Sequence, residues 1–159
     1  MKIAIGSDKS GFAVKEAVKA YLTEAGAAFD DLGTTDLNEV HPYYQVAGEV
    51  APLVQAGRYD RAVLICGTGA GMSVVSNKFR GVRAVACESI YAARMARAIN
   101  DAQILCLGGW IVGPELAVEM VRTFLATDWC QGLEDWRAEN MHRFAARLDA
   151  IEAGIYGER

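Results

Sequence analysis

The sequence predicts an α/β domain with a doubly wound, mostly parallel sheet. Short apolar runs typical of buried strands alternate along the chain with longer segments of helical periodicity, and glycine-rich or polar turns separate them. At 159 residues the chain is long enough for one domain with a full hydrophobic core and too short for two comfortable ones. These observations favour a single Rossmann-like, three-layer domain that covers residues 1–159.

The first half of the chain is expected to form two strands and two helices. Ile3 and Ile5 are β-branched residues in a short apolar run, which is typical of a first strand. A segment of helical spacing follows, between Ser10 as a fair N-cap and Gly26 as a fair C-terminal stop. A weaker strand and a polar loop come next, and Pro52 is expected to kink the second helix or to lie near a turn. The expected elements are strands at 2–6 and 27–32 and helices at 12–25 and 43–56.

The second half of the chain is expected to contribute three strands and four helices. The apolar run at 62–65 is typical of a strand buried inside a parallel sheet. Pro114 suits the first turn of a helix, and Gly154 suits the end of the last one. That last helix adds no strand, so we expect it to pack on a partner chain. The expected elements are strands at 62–65, 83–87 and 103–107 and helices at about 72–77, 89–99, 114–126 and 135–153.

A glycine-rich loop follows the strand at 62–65, and we expect the chemistry of the protein there. It begins at Cys66 and has glycine at every second position through Gly71, so backbone N–H groups can converge on a ligand. No Gly-Lys-Ser/Thr follows, which excludes a Walker loop, and the spacing is not that of a dinucleotide site. The glycines alone are compatible with close packing of a strand on a helix. With the cysteine before them and Thr68 between them, we interpret the loop as an oxyanion site beside a base.

The turn after the first strand is expected to meet this loop. The carboxyl ends of parallel strands lie at one edge of a sheet, which would bring Asp8, Lys9, Cys66 and Thr68 to a common crevice. Plainer roles fit these residues too, since Asp8 is a suitable helix cap and Lys9 a suitable solvated surface charge.

Composition and charge exclude several function classes. The formal net charge of −4 argues against nucleic acid as a partner, and no run of about 18 apolar residues suggests a membrane span. We therefore expect a cytoplasmic protein. The four cysteines are widely spaced without a C-x-x-C, so we expect neither a zinc site nor a disulfide framework. Cys87, Cys106 and Cys130 are interpreted as small buried hydrophobes.

Several short motifs resemble the ribose-5-phosphate isomerase B family, which includes the galactose-6-phosphate isomerase subunits. The similarity covers about residues 2–126 and resumes near Arg143. The matching motifs are Ile-Gly-Ser-Asp at 5–8, Ile-Cys-Gly-Thr-Gly-Ala-Gly at 65–71, Asn-Lys-Phe at 77–79, Gly-Val-Arg-Ala at 81–84 and Asn-Asp at 100–101.

The resemblance implies an aldose–ketose isomerase that acts on a sugar phosphate through a cis-enediolate, without metal or cofactor. Cys66 matches the family's catalytic base, and Thr68 and Asp8 match positions that handle the substrate's carbonyl and hydroxyl oxygens. The implied oxyanion site consists of the amides of Gly67, Gly69, Ala70 and Gly71 together with Asn100.

Two arginines in the last predicted helix match the family's phosphate-binding positions. Arg143 and Arg147 are four residues apart and share one helix face, which alone is equally typical of a solvated basic stripe. Guanidinium groups match phosphate oxygens in geometry. In the family these arginines reach the neighbouring subunit's site, so the resemblance implies a homodimer or homotetramer.

The sequence departs from the family pattern at three positions. Lys9 stands where the family usually has a histidine after the aspartate, and Trp110 stands where an arginine helps to bind phosphate. Ile99 replaces the histidine credited with opening the sugar ring, and isoleucine cannot transfer a proton. His41 is a candidate replacement or a surface loop residue, and Tyr44 completes the predicted substrate-binding set.

These departures favour a substrate that needs no ring opening. A tetrose 4-phosphate cannot close to a furanose because phosphate blocks its terminal hydroxyl, so the sequence predicts erythrose/erythrulose 4-phosphate or a similar short substrate. Trp110 would shorten or reshape the pocket, and Lys9 would supply a cation. The alternatives are a ribose-5-phosphate isomerase proper and a sugar-phosphate-binding subunit without turnover.

Overall fold

A computed structural model describes residues 1–157 and shows five strands in one sheet, in the order β2-β1-β3-β5-β4. Every adjacent pair is parallel, so the expected doubly wound α/β fold is confirmed. The elements are β1 Ile3–Ser7, α1 Phe12–Glu24, β2 Phe29–Asp31, α2 Tyr43–Gln55, β3 Arg61–Cys66, α3 Ala70–Ser76, β4 Ala84–Ala86, α4 Ile90–Ala98, β5 Ile104–Gly108, α5 Pro114–Ala126 and α6 Asp135–Tyr156. The last two residues of the domain expected over 1–159 lie outside the described residues.

Alternate side chains of the central strands face two separate apolar cores. Val63 and Ile65 of β3 pack with α1, α4 and α5 on one face of the sheet. Leu64 and Cys66 pack with α2 and α3 on the other face. Helices therefore cover both faces of the sheet, which leaves its two ends as the places where loops can build a site.

Two predicted helix boundaries are wrong for local reasons. Ser10 does not cap α1, because Gly11 occupies the cap position and its N–H donates to the Asp8 carboxylate at 3.0 Å. Gly154 does not stop the last helix, which continues to Tyr156 and ends at Gly157, whose φ of +82° suits glycine. Pro52 lies in the last turn of α2.

The helix α6 lies at the end of the sheet where β4 begins. The Glu152 carboxylate accepts the Gly81 N–H at 3.0 Å, and the Arg80 guanidinium donates to the Gly157 carbonyl at 2.7 Å. No residue of α6 is buried, although the helix is 22 residues long. Over residues 1–157, no helix has both the length and the apolar character that crossing a bilayer requires.

Candidate active site

The candidate site lies where the chain reverses its direction of travel across the sheet. After β1 the chain adds β2 on one side, and β3 pairs with the other side of β1, with Ser7 opposite Ile65. The Asp8 N–H donates to the Ile65 carbonyl at 3.2 Å, so the two loops begin side by side. In open α/β sheets such a switch point forms a crevice outside the carboxyl ends of the strands.

A cavity of about 270 Å³ opens at this crevice. It is bordered by the first turn after β1, the glycine-rich loop after β3, the turn after β5 and the start of α2. Its lining residues are Asp8, Ser10, Tyr43, Cys66, Gly67, Thr68, Gly71 and Trp110. The predicted meeting of Asp8, Cys66 and Thr68 at one crevice is therefore what the fold produces.

Cys66 lines this cavity at the carboxyl end of β3. The residue is 4% exposed, and its Sγ accepts a hydrogen bond from the Gly69 N–H at 3.1 Å. Gly69 has φ of +76°, and a Cβ there would lie 2.9 Å from the Leu107 backbone, so only glycine suits the position. This hydrogen bond fixes the position of the sulfur relative to the glycine-rich loop.

The other cysteines differ from Cys66 in their surroundings. Burial raises the pKa of the Cys87 thiol to about 11. Burial is also the main reason why the pKa of the Cys106 thiol lies well above its usual value, and the nearby Cys66 and Cys87 raise it further. Both pack in the apolar cores as expected, whereas Cys130 is only half-buried, which the sequence did not predict.

Two aromatic side chains press against the glycine-rich loop. A Cβ at Gly67 would lie 2.7 Å from Cζ3 of Trp110, and a Cβ at Gly71 would lie 2.6 Å from Cε2 of Tyr43. Close packing against these two rings is therefore one reason for the glycines, and an oxyanion role of their amides stays a prediction. Tyr43 and Ser10 line the cavity although they were not predicted to, and the signal for Tyr43 was its place beside Tyr44 at the start of α2.

Three predicted binding residues near the crevice do not line the cavity. Lys9 is exposed. Tyr44 is 59% exposed, and its ring meets the ring of Tyr43 edge-on, with centroids 5.5 Å apart. The backbone of His41 is tied to Thr34, whose Oγ1 accepts the His41 N–H at 2.9 Å. The His41 Nδ1 is buried and has no hydrogen-bond partner among the described residues.

Asn100 lies at the opposite end of the sheet from Cys66. In the ladder between β3 and β5, Cys66 is opposite Gly108 and Ala62 is opposite Ile104, and Asn100 comes four residues before Ile104. The ladder alone spans about 13 Å. Within one chain, the loop amides and Asn100 therefore do not come together, because the turn after α4 leads to the amino end of β5.

Arg143 and Arg147 also lie away from the cavity. Both are exposed on α6, whose Phe144 and Leu148 border a small groove together with Asn100. The structure thus groups the predicted residues into two sets, one at each end of the sheet. Within residues 1–157, no group of three or more His, Cys, Asp or Glu side chains is arranged to hold a metal ion.

Comparison with known proteins identifies the family. A family model described as Ribose/Galactose Isomerase matches residues 3–141. The chain is 51% identical over 156 residues to a 4-deoxy-4-sulfo-D-erythrose isomerase of Clostridium sp. (strain MSTE9), covering 98% of each protein. It is 36% identical over 129 residues to a D-erythrulose-4-phosphate isomerase of Pectobacterium atrosepticum, covering 81% of this chain and 85% of the relative.

A solved structure supports the same assignment. Ribose-5-phosphate isomerase B of Clostridium thermocellum superposes with a TM-score of 0.87 at 37% identity, covering 98% of this chain and 99% of that one. The chain belongs to the ribose/galactose isomerase family and is an aldose–ketose isomerase of the ribose-5-phosphate isomerase B type.

Proposed function

We propose that this isomerase interconverts the aldose and ketose forms of an open-chain, four-carbon sugar that carries an anionic group on C4. The observation that carries the proposal is the place of Cys66, which lines a cavity of about 270 Å³ while its Sγ accepts the Gly69 N–H at 3.1 Å. A base at a strand end beside a loop of backbone amides suits proton transfer next to a carbonyl.

In the proposed reaction Cys66 moves one proton between two carbons. The thiolate takes the proton from C2 of the aldose, the C2–H electron pair forms the C1–C2 double bond, and the oxygen on C1 takes the charge. Amides of the loop from Gly67 to Gly71 stabilise that enediolate. The Cys66 thiol then returns the proton to C1. Thr68 and Asp8, which line the same cavity, carry a proton from the C2 oxygen to the C1 oxygen.

The absence of a ring-opening group at position 99 supports a four-carbon substrate. Ile99 offers no proton donor or acceptor. A tetrose whose C4 bears phosphate or sulfonate has no hydroxyl with which to form a furanose, so it needs no ring opening. Two of the relatives are named for such four-carbon substrates, one with a sulfonate and one with a phosphate.

We propose further that a second copy of the chain completes the site. Asn100, Arg143 and Arg147 lie at the amino end of the sheet, and their predicted roles require them beside the substrate. In a two-fold dimer, residues at one end of each copy can face the other end of its neighbour. Tyr44, Lys9 and His41 stay predicted binding residues of such an assembly, and its cytoplasmic location stays a prediction of the sequence.

The proposal is tested by assaying one purified protein on three sugars, with products identified by proton NMR. The sugars are D-erythrose 4-phosphate, 4-deoxy-4-sulfo-D-erythrose and D-ribose 5-phosphate. We expect kcat/KM for at least one four-carbon sugar to exceed that for ribose 5-phosphate by more than about tenfold. A higher kcat/KM for ribose 5-phosphate would favour the pentose instead. Binding of all three without turnover would identify a binding subunit.

A further inference from the structure

Within residues 1–157, no cationic side chain lines the cavity at Cys66. Among residues 1–157, the ionisable groups that line it are those of Asp8, Tyr43 and Cys66. The Asp8 carboxylate is held in place by the Gly11 N–H at 3.0 Å. The side chains of residues 1–157 that line the pocket are therefore neutral or negative.

Trp110 forms one wall of this cavity and is fixed by its backbone. The Gly109 N–H donates to the Cys66 carbonyl at 2.7 Å, and the Trp110 N–H donates to the Gly67 carbonyl at 3.0 Å. The indole ring covers Gly67, yet the residue is 75% exposed, so its other face is open to a ligand. An indole offers an apolar face and a single N–H donor without charge.

Phosphate and sulfonate place different demands on such a wall. A phosphate monoester carries close to two negative charges at neutral pH, because its second pKa is about 6. A sulfonate carries one charge across the whole working range. Both accept hydrogen bonds through three oxygens, but the dianion is repelled more strongly by the Asp8 carboxylate and loses more hydration energy on entering a pocket without a cation.

We propose that the terminal anion selected by this site is a sulfonate on C4, and that Trp110 is the specificity-determining residue. The inference rests on the proposed function, since it assumes that a four-carbon sugar is isomerised beside Cys66. Arginines from a second copy would bind either anion. Because Trp110 is uncharged, it does not provide the additional cation that a dianion needs. The relative named for a sulfonated tetrose supports the chemical class and says nothing of the residue responsible.

The first test compares kcat/KM for 4-deoxy-4-sulfo-D-erythrose and D-erythrose 4-phosphate. We expect the parent protein to prefer the sulfonate, and Trp110→Arg to shift the preference toward the phosphate by about tenfold or more, mainly through KM. Ile111→Arg is the matched control, because Ile111 is exposed on the same turn and does not line the cavity. It should leave the preference within about twofold.

A second test needs no variant. The ratio of kcat/KM for phosphate to that for sulfonate is measured from about pH 7.5 down to about pH 5.5, across the second pKa of the phosphate. Titration of the enzyme cancels in this ratio, so we expect it to rise on acidification as the phosphate loses a charge. A ratio that stays flat, or a parent protein that prefers phosphate at neutral pH, overturns the sulfonate inference and leaves the proposed function standing. If neither tetrose is isomerised, both fail.

Discussion

The two ends of the sheet differ in chemistry. The carboxyl end has a thiol with an amide donor, a carboxylate and two aromatic walls. The amino end has guanidinium groups, with Arg83 and Arg97 paired to Asp101 and with Arg143 and Arg147 exposed on α6. An isomerase acting on an anionic sugar needs a base and cations together. The proposed assembly of two copies would bring these two ends together at one site.

Removing the thiol should disable the carboxyl end alone. We expect Cys66→Ala to lower kcat by about 10²- to 10⁴-fold, the usual contribution of a positioned acid–base group, because no other lining residue can replace the sulfur at C2. The NMR assay with a four-carbon sugar measures this. Substrate affinity should change little, since the cations lie elsewhere.

Cys130→Ala is the control for loss of a cysteine. Cys130 is half-buried near the start of α6 and does not line the cavity, so its replacement should leave kcat close to that of the parent. A Cys66→Ala protein that keeps more than about a tenth of the parent rate would remove Cys66 from the role of base.

Mixing two inactive variants tests whether the two ends meet across copies. Cys66→Ala carries a defect at the carboxyl end and Arg147→Ala one at the amino end. In a mixed dimer one site receives both defects and the other receives neither. Random exchange makes about half of the dimers mixed, and half of their sites are intact, so about a quarter of the parent rate should return. The rate is measured after mixing and re-equilibration.

The control mixture has both defects at the same end of the sheet. When Cys66→Ala is mixed with Asp8→Asn, each site of a mixed dimer keeps one defect, and no recovery is expected. If the first mixture also stays inactive although exchange is demonstrated, the base and the arginines do not share a site across copies, and the proposed assembly is wrong.

Much of the carboxyl end could be predicted from the sequence. Strands and helices alternate with clear periods, so the parallel sheet followed, and with it the meeting of Asp8, Cys66 and Thr68 at one edge. Each of these residues stands within two positions of a strand end. Sequence distance therefore translated directly into position in space.

Two other placements were missed for different reasons. Asn100 lies between a helix and β5, so a parallel sheet puts it at the amino end, and the resemblance that gave it a role beside the loop amides did not say which copy of the chain supplies it. Tyr43 and Tyr44 are adjacent in sequence, and the rotation of about 100° between them at the start of α2 decides which ring lines the cavity. Such directions depend on packing that a one-dimensional pattern does not encode.

A buried ion pair beside the carboxyl end gives the last prediction, which concerns stability. Lys15 is fully buried, and its Nζ donates to the Asp31 carboxylate at 2.6 Å and to the Thr34 carbonyl. The Thr34 hydroxyl in turn accepts the His41 N–H. Asp31→Asn removes the carboxylate nearest to the Lys15 ammonium and leaves it with the exposed Glu16 carboxylate at 3.4 Å. The free energy of unfolding should fall by about 3 kcal/mol at neutral pH, measured by denaturant titration.

Acidification should distinguish the contribution of this ion pair to stability from that of surface charges. Burial alone would raise the pKa of Asp31, yet hydrogen bonds from Lys15 and Lys19 hold it below the usual 3.8. A carboxyl whose pKa is lower in the folded state stabilises the fold above its unfolded pKa and loses that effect as the pH falls through its folded pKa. The difference between parent and Asp31→Asn should therefore stay constant down to about pH 4 and shrink below it. Asp30 lies on the same strand but is exposed, so Asp30→Asn should lower the free energy of unfolding by less than about 1 kcal/mol. An equal loss in both variants would mean that the buried position of Lys15 does not determine the stability of this end of the sheet.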